Sequence, residues 1–139
     1  MATTTATITL SSSDLLSDSL SLSSTATLYD AGTTTGLTQY DSGRVEVPGD
    51  NNIYVLLDST AAGVNKANKV YVVNKNTDET HYVEMMIDET VLGRLYGGDW
   101  KFIPWSQADA AANLEIKAPN EVNTVEYIIF HEGKTFTGA

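Results

Sequence analysis

Gly93-Arg94-Leu95-Tyr96-Gly97-Gly98-Asp99-Trp100-Lys101-Phe102-Ile103-Pro104-Trp105 is the stretch whose reading decides the fold. The glycine pair supplies a tight turn, because glycine adopts turn conformations that other residues resist. A short strand, 92–95, runs into that turn. An aromatic strand, 100–105, runs out of it, with Trp100 and Phe102 on one face and Lys101 and Ile103 on the other. Downstream, Ser106-Gln107-Ala108-Asp109-Ala110-Ala111-Ala112 is the best helical candidate, though short. Leu114-Glu115-Ile116-Lys117-Ala118 then alternates, Pro119-Asn120 turns, and an apolar strand over 124–130 closes the chain.

Upstream the same punctuation recurs. Thr5-Ala6-Thr7-Ile8-Thr9-Leu10 alternates polar and apolar residues as a half-buried strand does, and β-branched threonines favour it. Ser13-Asp14-Leu15-Leu16 fits one helical turn capped by Ser13. Leu20 to Leu28 is a second strand, with a phase slip at Ser23-Ser24 that predicts a bulge. Arg44-Val45-Glu46-Val47 is a strand stopped by Pro48, and Ile53-Tyr54-Val55-Leu56-Leu57 fits a buried one. Thr60 to Asn65 connects onward. Lys69 to Asn74 and His81 to Ile87 pair as a hairpin across a polar loop. Lys66, Lys69 and Lys75 flank its sticky Val70-Tyr71-Val72-Val73 run and guard it against edge-to-edge pairing. The sum is about eight or nine short strands and at most one short helix: an all-β antiparallel sandwich or jelly-roll-like fold. The 139 residues make one domain, 1–139, with residues 1–28 as an N-terminal arm or strand-exchanging segment.

Composition narrows the function classes. Without cysteine there is no disulfide, thiol catalysis or cysteine-ligated metal. A net charge of −10 and eight scattered basic residues disfavour nucleic acid and anionic membranes, which are held by clustered Lys and Arg. No apolar run approaches the ~18 residues of a membrane span. Met1-Ala2-Thr3-Thr4-Thr5 has neither a basic region nor an apolar core, so it does not read as a secretory signal.

Candidate chemistry is sparse. His81 and His131 are two isolated histidines, read as surface or rim residues, whereas a metal site wants three or four converging ligands. Asp78-Glu79 and Asp88-Glu89 follow no calcium-loop spacing and read as solvated loop charge. No serine sits in Gly-x-Ser-x-Gly, and Gly97-Gly98 lacks the lysine and helix of a phosphate loop. These patterns predict no enzyme, no catalytic residue, no metal and no cofactor. Trp100, Phe102 and Trp105 admit three roles: packing within the chain, a subunit contact, or a platform for stacking sugars.

The pattern Gly98-Asp99-Trp100-x-Phe102-Ile103-Pro104-Trp105, then Leu114-x-Ile116-x-Ala118, then Val125-Glu126-Tyr127-Ile128-Ile129-Phe130, resembles small virion structural proteins of tailed phages. The opening Ala2-Thr3-Thr4-Thr5-Ala6-Thr7-Ile8-Thr9-Leu10-Ser11 and Asp18-Ser19-Leu20-Ser21-Leu22 resemble short structural proteins of marine and cyanobacterial phages. Residues 31–65 lie outside the resemblance. It implies a non-enzymatic β-sandwich of the capsid decoration or cement type on the capsid exterior, bound to the major capsid protein. It also implies a homo-oligomer, a trimer before a dimer. A tail, fibre or head-tail component is the alternative within virions, and a carbohydrate-binding module the alternative outside them. The contact residues expected on this reading are Ile8, Leu10, Leu20 and Leu22 in the arm, with Tyr96, Trp100 and Trp105 in the aromatic region.

Overall fold

The structure is a computed structural model and describes residues 4–13, 20–37, 39–62, 65–105 and 112–132. Its elements in chain order are β1 (Thr4–Ser12), β2 (Leu20–Leu28), β3 (Gln39–Val47), β4 (Ile53–Leu57), α1 (Ser59–Ala62) and β5 (Lys69–Asn74). There follow β6 (Tyr82–Ile87), β7 (Thr90–Tyr96), β8 (Trp100–Pro104), β9 (Leu114–Lys117) and β10 (Asn123–His131). The architecture is all-β with antiparallel pairing throughout.

Two four-stranded sheets, ordered β3-β10-β5-β8 and β4-β9-β6-β7, share one core. Successive strands hold matching places in the two orders: β3 with β4, β10 with β9, β5 with β6, β8 with β7. The chain therefore changes sheet at every step from β3 to β10 except between β6 and β7, which is jelly-roll winding. Period-2 alternation supplies the core. In β10, Asn123, Val125, Tyr127, Ile129 and His131 are buried while the residues between them are half-exposed. Val70 and Val72 of β5 join them, facing Val83, Met85, Leu95, Leu114 and Ile116 of the second sheet. Each such side chain contributes about 1.5–3 kcal/mol on burial. β1 and β2 form a separate two-stranded ribbon ahead of the sandwich.

The connections differ most from the sequence reading. Lys69–Asn74 and the strand after it are not a hairpin, since β5 and β6 lie in different sheets. Three successive side-chain turns wind the chain across: Asn74 accepts from the Asn76 amide, Asn76 from Asp78, and Asp78 from Thr80, at 2.9–3.0 Å. β7 and β8 likewise part company at Gly97-Gly98. There the Gly97 amide donates to His81 and the Gly98 amide to Asn74, both at 2.9 Å, pinning one crossing against the other. The true hairpin is β6–β7. Its turn is Asp88-Glu89, with φ of +47° and +63°, the backbone of a type I′ turn.

Further differences follow from neighbours rather than from the local pattern. β5 is central, flanked by β10 and β8, so its lysines guard no edge. β4 is an edge strand whose Ile53 and Val55 are exposed. The β2 register runs without a bulge, since Leu20, Leu22, Ser24, Ala26 and Leu28 stay in phase and Ser24 is merely polar on an apolar face. A single helical turn occurs at α1, in a segment whose sequence reads as a connection. The helical readings at 13–16 and 106–112 fall mostly outside the described residues.

Candidate functional site

The ribbon is amphipathic by register. Ala6 opposes Ala26, Ile8 opposes Ser24, Leu10 opposes Leu22 and Ser12 opposes Leu20, so these share one face. The other face carries only threonine and serine, with the Thr7 and Thr25 hydroxyls bonded at 2.8 Å. Neither strand contains a charged residue. The base is anchored. Leu28 and Leu37 are buried, the Leu37 amide donates to Leu28, and Glu132 accepts from the amides of Ala31 and Ala67 at 3.2 and 2.6 Å. Beyond the base the apolar face is open, with Ile8, Leu10, Leu20 and Leu22 between 37 and 49% exposed.

The ribbon leans over the outer face of sheet β3-β10-β5-β8. Register builds that face in rows: Ser42, Ile128, Tyr71 and Phe102 in one, Arg44, Glu126, Val73 and Trp100 in the next. Tyr71 and Trp100 rings lie 5.9 Å apart and Tyr40 and Phe130 rings 6.4 Å apart. Arg44 and Glu126 pair at 3.5 Å, so the row carries no net charge. Between ribbon and sheet runs a groove of about 820 Å³, walled by Ala6, Ile8, Ser24 and Ala26 and floored by Tyr71, Trp100, Phe102, Ile128 and Phe130. Among the described residues Lys101 is the one charged residue on its lining.

The seven expected contact residues are not all brought together. Ile8, Leu10, Leu20 and Leu22 share the ribbon face, and Ile8 meets Trp100, 48% exposed, across the groove. Tyr96 is exposed but lies on β7 of the other sheet, against Tyr82 and Arg94. Trp105 does not belong to any surface: it is 2% exposed, in the core, with its indole N–H bonded to Ala112. Phe102 is half-buried on the outer face instead of packed in the core. Tyr71, Ile128 and Phe130, which floor the groove, were not among the expected residues, although the sequence carries a signal for them. Val-Tyr-Val-Val and Tyr-Ile-Ile-Phe are apolar on both faces, and a sandwich strand needs only one.

The ionisable groups are structural in their surroundings. His131 is not a rim residue: it is buried, and its imidazole lies 2.8 Å from Asp41, tying β10 to β3. Half-buried His81 lies 3.3 Å from Asp78 and 3.9 Å from Glu121. Burial, with Asp41 nearby, raises the Tyr127 phenol above its usual value. On the second sheet Arg94 donates to the Tyr96 hydroxyl, which raises its pKa, and lies 4.3 Å over the Tyr82 ring. Among the described residues no three His, Cys, Asp or Glu side chains converge as a metal site.

Comparisons with protein-family models, curated proteins and solved structures returned no match for this chain.

Proposed function

We propose that the chain is a non-enzymatic structural protein of a phage virion, a decoration or cement protein on the capsid exterior. The observation that carries this reading is the ribbon. Two uncharged strands of nine residues reach about 30 Å and, among the described residues, present exposed leucines. A lone two-stranded hairpin is marginal in water, and exposed apolar patches mark contact sites. A scaffold that invests in such a ribbon fits a component of a larger assembly. Its partners on this reading are the major capsid protein and further copies of itself. A surface of net charge −10 suits a particle exterior better than a face turned to packaged DNA.

Capsids lacking this protein test the proposal. Wild-type protein added back is expected to coat them, and the Leu10→Asp, Leu22→Asp variant to stay in the supernatant although it folds. Equal binding by both would contradict the ribbon's role. A second reading, a carbohydrate-binding module, is favoured by one feature, the half-open Tyr71–Trp100 pair. Glycan binding that is lost in Trp100→Ala would support it over the virion role.

A further inference from the structure

We infer that the free edge of β3 is a self-association site. The β3 strands of two copies of this chain pair antiparallel about a two-fold axis at Val45, so that their β3-β10-β5-β8 sheets run on as one. The inference deepens the self-association named above by giving it an interface, and it does not depend on the virion role.

The four edges of the sandwich are not alike. An edge strand offers unpaired backbone N–H and C=O groups to any other strand, and folds blunt that offer with prolines, lysines, bulges and short strands. β8 is five residues long and ends in Pro104. Lys101 reaches from β8 and donates to the Leu92 carbonyl of β7 at 3.3 Å. β7 is itself broken by a register shift opposite Met85 and Met86. β4 has five residues and a register shift between Val55 and Leu57. β3 carries none of these devices. Its nine residues, Gln39 to Val47, hold an unbroken register on β10 and include no proline and no lysine. Among the described residues β10 is its only strand partner, and Gln39, Tyr40, Ser42, Arg44 and Glu46 are exposed.

Charge and alternation select a second β3 as the occupant and fix the register. Residues directly opposite in a sheet point to the same face, so the axis of a two-fold pair passes through a residue position and not between two. With the axis at Val45, Arg44 of each copy stands opposite Glu46 of the other. On the core side Val45 then meets Val45 and Gly43 meets Val47. An axis at Arg44 or Glu46 sets like charges against each other, and one at Gly43 or Ser42 sets Val45 against Asp41 or Gln39. In the Val45 register Arg44 lies between two carboxylates, its own Glu126 at 3.5 Å and the second copy's Glu46. Among the described residues Glu46 has no ion pair within its own chain, so the contact supplies the cation. Two chains of net charge −10 repel overall, and this contact sets opposite charges face to face. It is isologous, the same patch on both copies, so it closes at two.

Charge swaps on the full-length protein test the interface. Wild type is expected to sediment at twice the 15.0 kDa chain mass. Glu46→Arg sets arginine against arginine, and Arg44→Glu sets glutamate against glutamate. Each alone should raise the dimer dissociation constant about tenfold, from two reversed cross-strand pairs. Mixed one to one, the two variants should pair with each other at wild-type strength. So should the double Arg44→Glu, Glu46→Arg chain with itself, although it loses the intrachain pair with Glu126. Glu46→Arg also makes the chain less acidic, so general repulsion predicts tighter association where the edge pair predicts weaker. Glu89→Arg makes the same charge change at an exposed turn of the other sheet and should not weaken the dimer. A monomeric or trimeric wild type, a Glu46→Arg dimer as tight as wild type, or single variants that fail to rescue each other would overturn the inference. A monomer that nevertheless coats capsids overturns this inference alone. A dimer absent from particles overturns the virion role alone.

Discussion

Single residues hold the crossings between sheets. A β-carbon on Gly97 would meet the carbonyl oxygens of Asp78 and Asn76, which are backbone and have no room to yield. Gly97→Ala is expected to cost about 1–3 kcal/mol, as overpacking of a closed site does, read as a lower urea midpoint at unchanged slope. Asn123 is buried beside it. Its side-chain oxygen accepts from Asn76 at 2.9 Å and Asn74 at 3.2 Å, and its amide donates to the Glu121 and Tyr82 carbonyls. Asn123→Ala leaves buried polar groups without a partner, so a loss of about 1–3 kcal/mol is expected in the same measurement. None of this was legible from Asn74, Asn76 or Asn123 as letters. Asparagine near a strand end reads as turn chemistry, and its burial depends on which loop folds back over it.

At the scale of elements, the turns carry a shared electrostatic signature. In the β3–β4 turn the Tyr54 hydroxyl, at 2.6 Å, and then the Asn52 amide lower the Asp50 pKa. Asp58 and Asp78 are lowered in the same way by the hydroxyl and then the amide of Thr60 and Thr80. A carboxyl depressed in the folded state stabilises fully above its unfolded pKa, about 4, and that contribution is lost as pH falls through the folded value. The approach to the pI near 4.3 relieves self-repulsion over the same range, so absolute melting temperatures mix two effects. The difference between wild type and the Asp50→Asn, Asp58→Asn, Asp78→Asn variant isolates one. Wild type should melt higher at neutral pH, and the gap should close below about pH 4. A gap constant down to pH 2 would contradict the assignment. Strand positions themselves were largely readable, because β5 and β10 are short apolar, β-branched and aromatic runs bounded by turn residues. Partnership was not. A polar loop between two alternating strands serves a hairpin or an arch equally well, and only the linked turns at Asn74, Asn76 and Asp78 choose the arch.

For the whole molecule, two surfaces stand apart from an acidic exterior: an uncharged ribbon with exposed leucines and an aromatic sheet face beneath it. The arm was visible in the sequence as a base-free alternating segment. The matching face was not singled out, because Tyr71, Ile128 and Phe130 become one patch only when β5 and β10 pair. Trp105 shows the converse: its amide bonds to Asn68, one step beyond the Pro104–Lys69 pair, and alternation puts its ring with Ile103 on the core side, away from Trp100 and Phe102. The measurement that tests the central claim most directly is quantitative mass spectrometry of purified virions from a phage encoding this chain. The account predicts copies in stoichiometric proportion to the major capsid protein. A few copies per particle would move the chain to a tail or portal, and absence from particles would contradict a virion role outright.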